Sequence, residues 1–184
     1  MSTRLSACVG VTAFVVVAFT AGCGSSGSGS TGATTAAVTG TTAGANARLT
    51  SAQWAEYESS RAALRKANAS ASATLKKCSV NATSQNIQRT QACVGNTYSE
   101  LTTAAGNSLS TLKSFEGTVS GACASALAKL ANQVGTFQAS AAQMQRTIDS
   151  ATLAGYPAAS NTLELALNGG KAEAKNFEQE CAPA

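Results

Sequence analysis

The sequence predicts an all-α fold: an antiparallel up-down-up-down four-helix bundle over residues 49–184, stapled by two disulfides and preceded by a signal peptide and a disordered linker. Three observations lead there. Apolar residues recur at alternating steps of three and four along four stretches of the domain, the spacing that keeps side chains on one face of a helix. No five-residue run of β-branched alternation competes with that pattern. Four cysteines fall near the ends of the predicted helices, where cross-links between neighbours are feasible.

Residues 1–22 read as the signal peptide. Arg4 opens a short start, Leu5 to Phe19 form the longest apolar run in the chain, and the small residues Ala21 and Gly22 precede Cys23. A retained membrane helix is the competing reading. It would need about 17–20 apolar residues, and this run is interrupted by Ser6, Gly10 and Thr12. The stretch Thr20-Ala21-Gly22-Cys23 resembles the lipobox of bacterial lipoproteins, with Thr20 in place of the usual branched apolar residue. The resemblance covers residues 1–23 only. It implies cleavage before Cys23, a thioether-linked diacylglycerol and palmitate on that residue, and a domain held on the extracytoplasmic face of the cell membrane.

Residues 23–48 carry the lipidated cysteine and a tether. From 24 to 47 the chain is Gly, Ser, Thr and Ala with only Val38 and Asn46 as exceptions, too little apolar surface to offset the entropy of ordering. A coil of this length spans roughly 25–30 Å. Residues Gly27 to Gly32 satisfy the spacing G-x-G-x-x-G, but with no strand before and no helix after, the match is an accident of composition.

The first helix is expected to start at Thr50, where Thr50 and Gln53 form a capping box and Leu49 and Trp54 a hydrophobic staple. Its seam runs Trp54, Tyr57, Arg61, Leu64, Asn68, Ala71, Leu75, Cys78. Val94, Tyr98, Leu101, Ala105, Leu109 and Leu112 mark the second helix, stopping near Gly117, a residue suited to a left-handed cap. Cys123, Leu127, Leu130, Val134, Phe137, Ala141, Met144, Ile148 and Ala151 require a third helix of about 30 residues, roughly 45 Å long. After a break at Gly155-Tyr156-Pro157, Leu163, Leu167, Gly170, Ala174, Phe177 and Cys181 mark the fourth. Gly95, Gly106, Gly121 and Gly135 fall inside predicted helices, where each costs up to about 1 kcal/mol against Ala. With so much of the apolar content supplied by Ala, the core is thin and benefits from covalent links.

Those links are legible from topology. With Cys8 removed and Cys23 lipidated, Cys78, Cys93, Cys123 and Cys181 remain, an even number in an exported domain and without the C-x-x-C spacing of a zinc site. Cys78 ends the first helix and Cys93 lies early in the second; Cys123 starts the third and Cys181 ends the fourth. The expected pairs are therefore Cys78 with Cys93 and Cys123 with Cys181, contributing roughly 3 and 4 kcal/mol on the loop-entropy account. One tension accompanies the second pair. Counted from Tyr156, Cys123 is 33 residues back and Cys181 25 residues on, an offset of roughly 12 Å along helices, to be absorbed at Gly169-Gly170 or by an extended tail after Phe177. Residues 79–88 are expected to fold across the bundle end so that Cys93 is not too deep.

Function classes narrow by exclusion. The chain has no His, which removes Ser-His-Asp and Cys-His hydrolysis, His-ligated zinc and His-supported di-iron sites. No G-x-S-x-G elbow is present, and the nine acidic residues, Glu178 among them, read as solvated surface charge, with Arg146 and Asp149 expected to pair three apart. No catalytic residue, metal site or cofactor is expected, and the protein is not read as an enzyme. Tyr57, Arg61, Arg65 and Asn68 are the informative polar positions. Either the core face is rotated toward Ala63, Leu64, Ala67 and Ala71, with Arg61 and Asn68 at its edge, or these four line a groove for an anionic group. A net charge of +2 over residues 50–184 is far below a nucleic-acid footprint. The expected function is that of a membrane-anchored, non-catalytic binding or interaction module. Its partners are the membrane, through the lipid, and an envelope protein or cell-wall polymer. The alternative is a structural or stress-related envelope lipoprotein without a ligand pocket.

Overall fold

The computed structural model describes residues 47–79, 87–150 and 155–184. The signal peptide, Cys8, Cys23, nearly all of the tether, the expected end-crossing segment over 80–86 and Ala151 lie outside the described residues. Within them all regular structure is helical: α1 (Ser51–Ser79), α2 (Ile87–Val94), α3 (Thr97–Ser114), α4 (Gly121–Asp149) and α5 (Tyr156–Cys181).

The start of α1 follows from its capping box. The Gln53 backbone N–H donates to Thr50 Oγ1 (3.2 Å), and Thr50 N–H donates to Gln53 Oε1 (3.0 Å). Leu49 is buried and Trp54 packs against the same cluster, as a staple requires. Along α1 the expected seam faces inward: Tyr57, Ala71 and Cys78 are buried, and Trp54, Arg61, Leu64, Asn68 and Leu75 are half-buried. Of the alternative face, Ala71 is buried and Leu64 and Ala67 pack against the same cluster, while Ala63 is exposed.

The expected second helix is two helices. At Gly95 the backbone turns left-handed (φ +49), a conformation glycine adopts without a Cβ penalty. The side-chain amide of Gln145 on α4 bridges the break, accepting from the Ser99 N–H (3.1 Å) and donating to the Gly95 carbonyl (3.1 Å). Gln91 on α2 in turn donates to the Ile148 carbonyl at the end of α4 (2.6 Å). Backbone groups that a helix end leaves without intrahelical partners are thus satisfied by two glutamines. Gly121 stands at the first residue of α4 with φ +61, so two of the four glycines expected in helix interiors serve at helix ends instead.

Below the break, α3 runs to a turn in which Gly117 takes φ +79. The third seam is buried at every described position from Cys123 to Ile148. Two layers of core result. One gathers Tyr57, Phe115, Leu127, Leu130 and Phe177 around Cys123 and Cys181; the other gathers Tyr98, Leu101, Phe137, Met144 and Leu163 near Cys78. Full burial of each large apolar side chain contributes about 1.5–3 kcal/mol.

Both expected disulfides form, with Cα–Cα distances of 5.6 Å for Cys78–Cys93 and 4.8 Å for Cys123–Cys181. The expected 12 Å offset is absent. α5 is continuous through Gly169-Gly170 to Cys181, so neither remedy is used. Cys123 lies 26 residues before the last residue of α4, and Cys181 25 residues after the first of α5, so the two arms match to within one residue.

Residues 47–49 form a strap across this disulfide-bonded end. The Leu49 N–H donates to the Cys181 carbonyl (3.2 Å), and the Ser120 N–H donates to the Ala47 carbonyl (3.1 Å). Ser120, which precedes α4, accepts the Ala47 N–H on its hydroxyl (2.9 Å), and Arg48 donates to the Ala182 carbonyl (3.2 Å). Ala47 and Arg48, which the expected boundary leaves in the tether, thus bond to the ends of α4 and α5.

Candidate functional site

Two features of α1 bear on function, and they lie on different flanks of the helix. Residues 59 and 61 are separated by about 200° around the axis. The Arg61 flank meets α5, and the Ser59 flank borders α3.

On the α5 side the structure brings together three of the four expected groove residues. Arg61 forms a salt bridge with Glu178, and its guanidinium lies 5.9 Å from the centre of the Tyr57 ring. The Tyr57 hydroxyl donates to Glu178 Oε1 (3.2 Å), while its ring packs edge-on against Phe177 (4.8 Å) and beside Trp54 (5.2 Å). Burial pushes the Tyr57 phenol above its ordinary value; the Arg61 charge opposes this, and the Glu178 charge and hydrogen bond add to it. Arg65 is half-buried one turn on, its guanidinium held below its usual value first by desolvation and then by the Arg61 charge. Asn68 is half-buried further along the same face.

The anion that the arginines meet is thus supplied from within the chain. Glu178 is not the freely solvated charge expected of it, since its side chain is 30% exposed and serves both Arg61 and Tyr57. The signal available in the sequence was its position one residue after the core Phe177. Arg146 and Asp149 also depart from expectation: Arg146 donates to Gln143 Oε1 (2.7 Å), and Asp149 accepts from Gln145 (2.9 Å). Gln145, already positioned by the helix break, reaches Asp149 four residues on, where helical neighbours meet.

On the other flank a groove of about 630 Å³ runs between α1 and α3. Ala55, Ser59 and Ala63, one turn apart on α1, face Ala104, Asn107 and Thr111 on α3. Glu56, Ser60 and Ser114 complete it, so the lining is of small residues, mixed polar and apolar, and carries a single charge. The groove is more open than enclosed, and sequence reasoning missed it because each of its residues reads as ordinary helix surface.

A second buried phenol, Tyr98, belongs to the core layer near Cys78. It is fully buried, and burial, with Tyr156 adding to it, holds its hydroxyl above the ordinary value. Among the described residues no group of three His, Cys, Asp or Glu side chains is placed to hold a metal ion, and no helix is long and apolar enough to cross a membrane. No protein-family model, no curated protein and no solved structure matches the chain.

Proposed function

We propose that the chain is an extracytoplasmic lipoprotein, anchored through Cys23 and acting as a non-catalytic interaction module whose contact surface is the α1–α3 groove. The strap is the observation that carries the reading. It fastens residues 47–49 to the ends of α4 and α5 immediately after the predicted tether, so the tether leaves the domain at one defined pole. The groove lies along the side of the domain rather than at that pole, accessible to an elongated partner such as an envelope protein segment or a wall-polymer strand.

The same reading takes the domain as an up-down-up-down bundle in which α2 and α3 together make the second arm. Residue pairings support it: Gln53 with Thr118 at one end of α1 and α3, Ser99 with Gln145 between α3 and α4, and Gln133 with the Ala166 carbonyl between α4 and α5. Each joins an early residue of one arm to a late residue of the next, or two middles.

Metabolic labelling with an alkynyl palmitate tests the anchor. Label and membrane association are expected in the wild type and absent from Cys23→Ala; label retained by that variant would refute it. A photo-crosslinking residue at Ser59 tests the groove in intact cells. A discrete adduct from position 59 and none from position 164 is expected, and the reverse would assign contact to α5.

A further inference from the structure

We propose that Cys78–Cys93 is a thiol-exchange site: an external thiolate opens it at the Cys93 sulfur, and small anionic thiols are the preferred reactants. The proposal is independent of the lipid anchor. It begins from a difference between the two disulfides. Cys123 and Cys181 are both fully buried, beneath a strap whose Leu49 N–H bonds to Cys181 itself. Cys78 is 2% exposed, whereas Cys93 is an exposed residue. Exchange requires a thiolate to reach a disulfide sulfur, so its rate depends on access and on which sulfur is attacked. Of the four disulfide-bonded cysteines, Cys93 is the one open to solvent.

The surroundings favour this attack in two further ways. α2 is only eight residues long and is joined to α1 by the disulfide, while Gln91 holds it independently to the end of α4. Opening the bond therefore leaves the α3–α4–α5 core and the second disulfide in place. The local charge is also positive. Lys77 adjoins Cys78, and Arg89 lies four residues before Cys93 on the same face of α2; both are exposed. No acidic residue occurs in α2 or in the last turn of α1. Asp149, brought near by the Gln91 contact with its carbonyl, has its side chain engaged by Gln145. A cationic rim raises the local concentration of thiolate and of any further negative charge on the thiol.

The step is redox-neutral. The incoming thiolate forms a bond to Cys93 Sγ, the Cys78–Cys93 bond breaks, and Cys78 leaves with the electron pair and takes up the proton that the incoming thiol released. The product is a mixed disulfide on Cys93 beside a buried Cys78 thiol. The reverse attack by the Cys78 thiolate expels the reactant and restores the bond.

Trypsin separates the four cysteines into peptides 78–89, 90–113, 114–129 and 176–184, so one digest reads every site. The folded full chain is treated with 2-mercaptoethanesulfonate, quenched in acid, capped with N-ethylmaleimide under denaturing conditions and mapped without reduction. The expected result is the mercaptoethanesulfonate adduct on 90–113 and maleimide on 78–89, with 114–129 and 176–184 still linked. Opening of Cys78–Cys93 should be at least about tenfold faster than that of Cys123–Cys181. An adduct on 78–89, or equal rates for the two disulfides, would overturn the proposal. The charge preference is tested with Lys77→Gln plus Arg89→Gln. The ratio of the mercaptoethanesulfonate rate to the cysteamine rate should fall about two- to fivefold from wild type, and an unchanged ratio would remove anionic thiols as the preferred class.

Discussion

Gly169 and Gly170 are adjacent in α5, yet replacing each with Ala should have different consequences, and the difference reports how α4 packs on α5. In a helix interior Gly→Ala gains about 0.8–1 kcal/mol from propensity. At Gly170 an added Cβ would lie 3.8 Å from Gln133 Cγ, an ordinary contact, so that gain should be realised. At Gly169 the Cβ would fall 2.5 Å from Gln133 Nε2 and 2.8 Å from Cδ, forcing the amide aside. That amide donates to the Ala166 carbonyl at 2.9 Å, and losing the bond costs about 0.5–1.5 kcal/mol. Gly170→Ala should therefore stabilise by about 0.5–1 kcal/mol, while Gly169→Ala should be close to neutral because gain and loss offset. In a Gln133→Ala background the bond is already gone, and both substitutions should stabilise equally. The double-mutant cycle between positions 133 and 169 should show a coupling of about 0.5–1.5 kcal/mol and that between 133 and 170 none. Urea unfolding followed by far-ultraviolet circular dichroism, with both disulfides intact, measures the wild type and all five variants. Equal stabilisation by the two alanines in the wild-type background would refute the insertion of Gln133 beside Gly169.

Four other perturbations address the ion cluster, the helix break and the buried phenols. Glu178→Ala removes the partner of Arg61 and the acceptor of the Tyr57 hydroxyl together, and should cost about 1–2 kcal/mol in urea unfolding. Arg61→Ala, which leaves that hydrogen bond in place, should cost about 0.5–1 kcal/mol because the pair is partly exposed; the opposite ranking would show that Tyr57 draws nothing from Glu178. Gln145→Ala should cost about 1–2 kcal/mol and accelerate hydrogen exchange at the Ser99 amide, with unaltered exchange refuting the bridge across the break. Tyr57 and Tyr98 are held above the ordinary phenol value of 10.0. Below pH 10 both are protonated in either state and their contribution is fully present. As the pH rises past 10 the unfolded chain releases two protons that the folded one retains. Stability should then fall by up to about 2.7 kcal/mol per pH unit. Unfolding titrations at pH 9, 10 and 11, with tyrosinate absorbance as a second readout, check this; constant stability across the range would refute it.

What could be read in the sequence was what depends on one helix at a time. The spacing from Cys123 to Ile148 marks a buried face whatever lies opposite, and every described position in it is buried. Thr50 and Gln53 carry their capping geometry within four residues. The cysteine pairs were legible because they needed only the positions of helix ends. The break at Gly95 escaped because Val94 and Tyr98 are four apart, a step as compatible with one continuous helix as with two. The amide that bridges it, that of Gln145, lies 50 residues away from Gly95. Glu178 was misread for the same reason: as a single position it is a polar residue beside a core Phe, and only the approach of α5 to α1 turns it into the acceptor for Tyr57 and Arg61. The α1–α3 groove likewise exists only between helices, from small residues none of which stands out alone.

The two disulfides mark opposite poles with different physical character. Cys123 lies near the start of α4, while Gln91 ties the Cys93 helix to Ile148 near its end, which separates the poles by roughly 35 Å of helix. At the first pole every feature restrains: a buried bond, a three-residue strap and backbone hydrogen bonds that join the chain entering the domain to the last residues of α5. At the second, an eight-residue helix that carries the exposed residue Cys93 and a left-handed glycine are held by two glutamine side chains. Force transmitted along a tether would act on the first pole, where the load passes through the strap directly into both ends of the α4–α5 pair and its covalent link. The second pole would carry no such load. A domain built in this way can keep its attachment fixed while its far end undergoes thiol exchange, because no hydrogen bond of the strap involves α2 and the Cys123–Cys181 bond closes its loop without it.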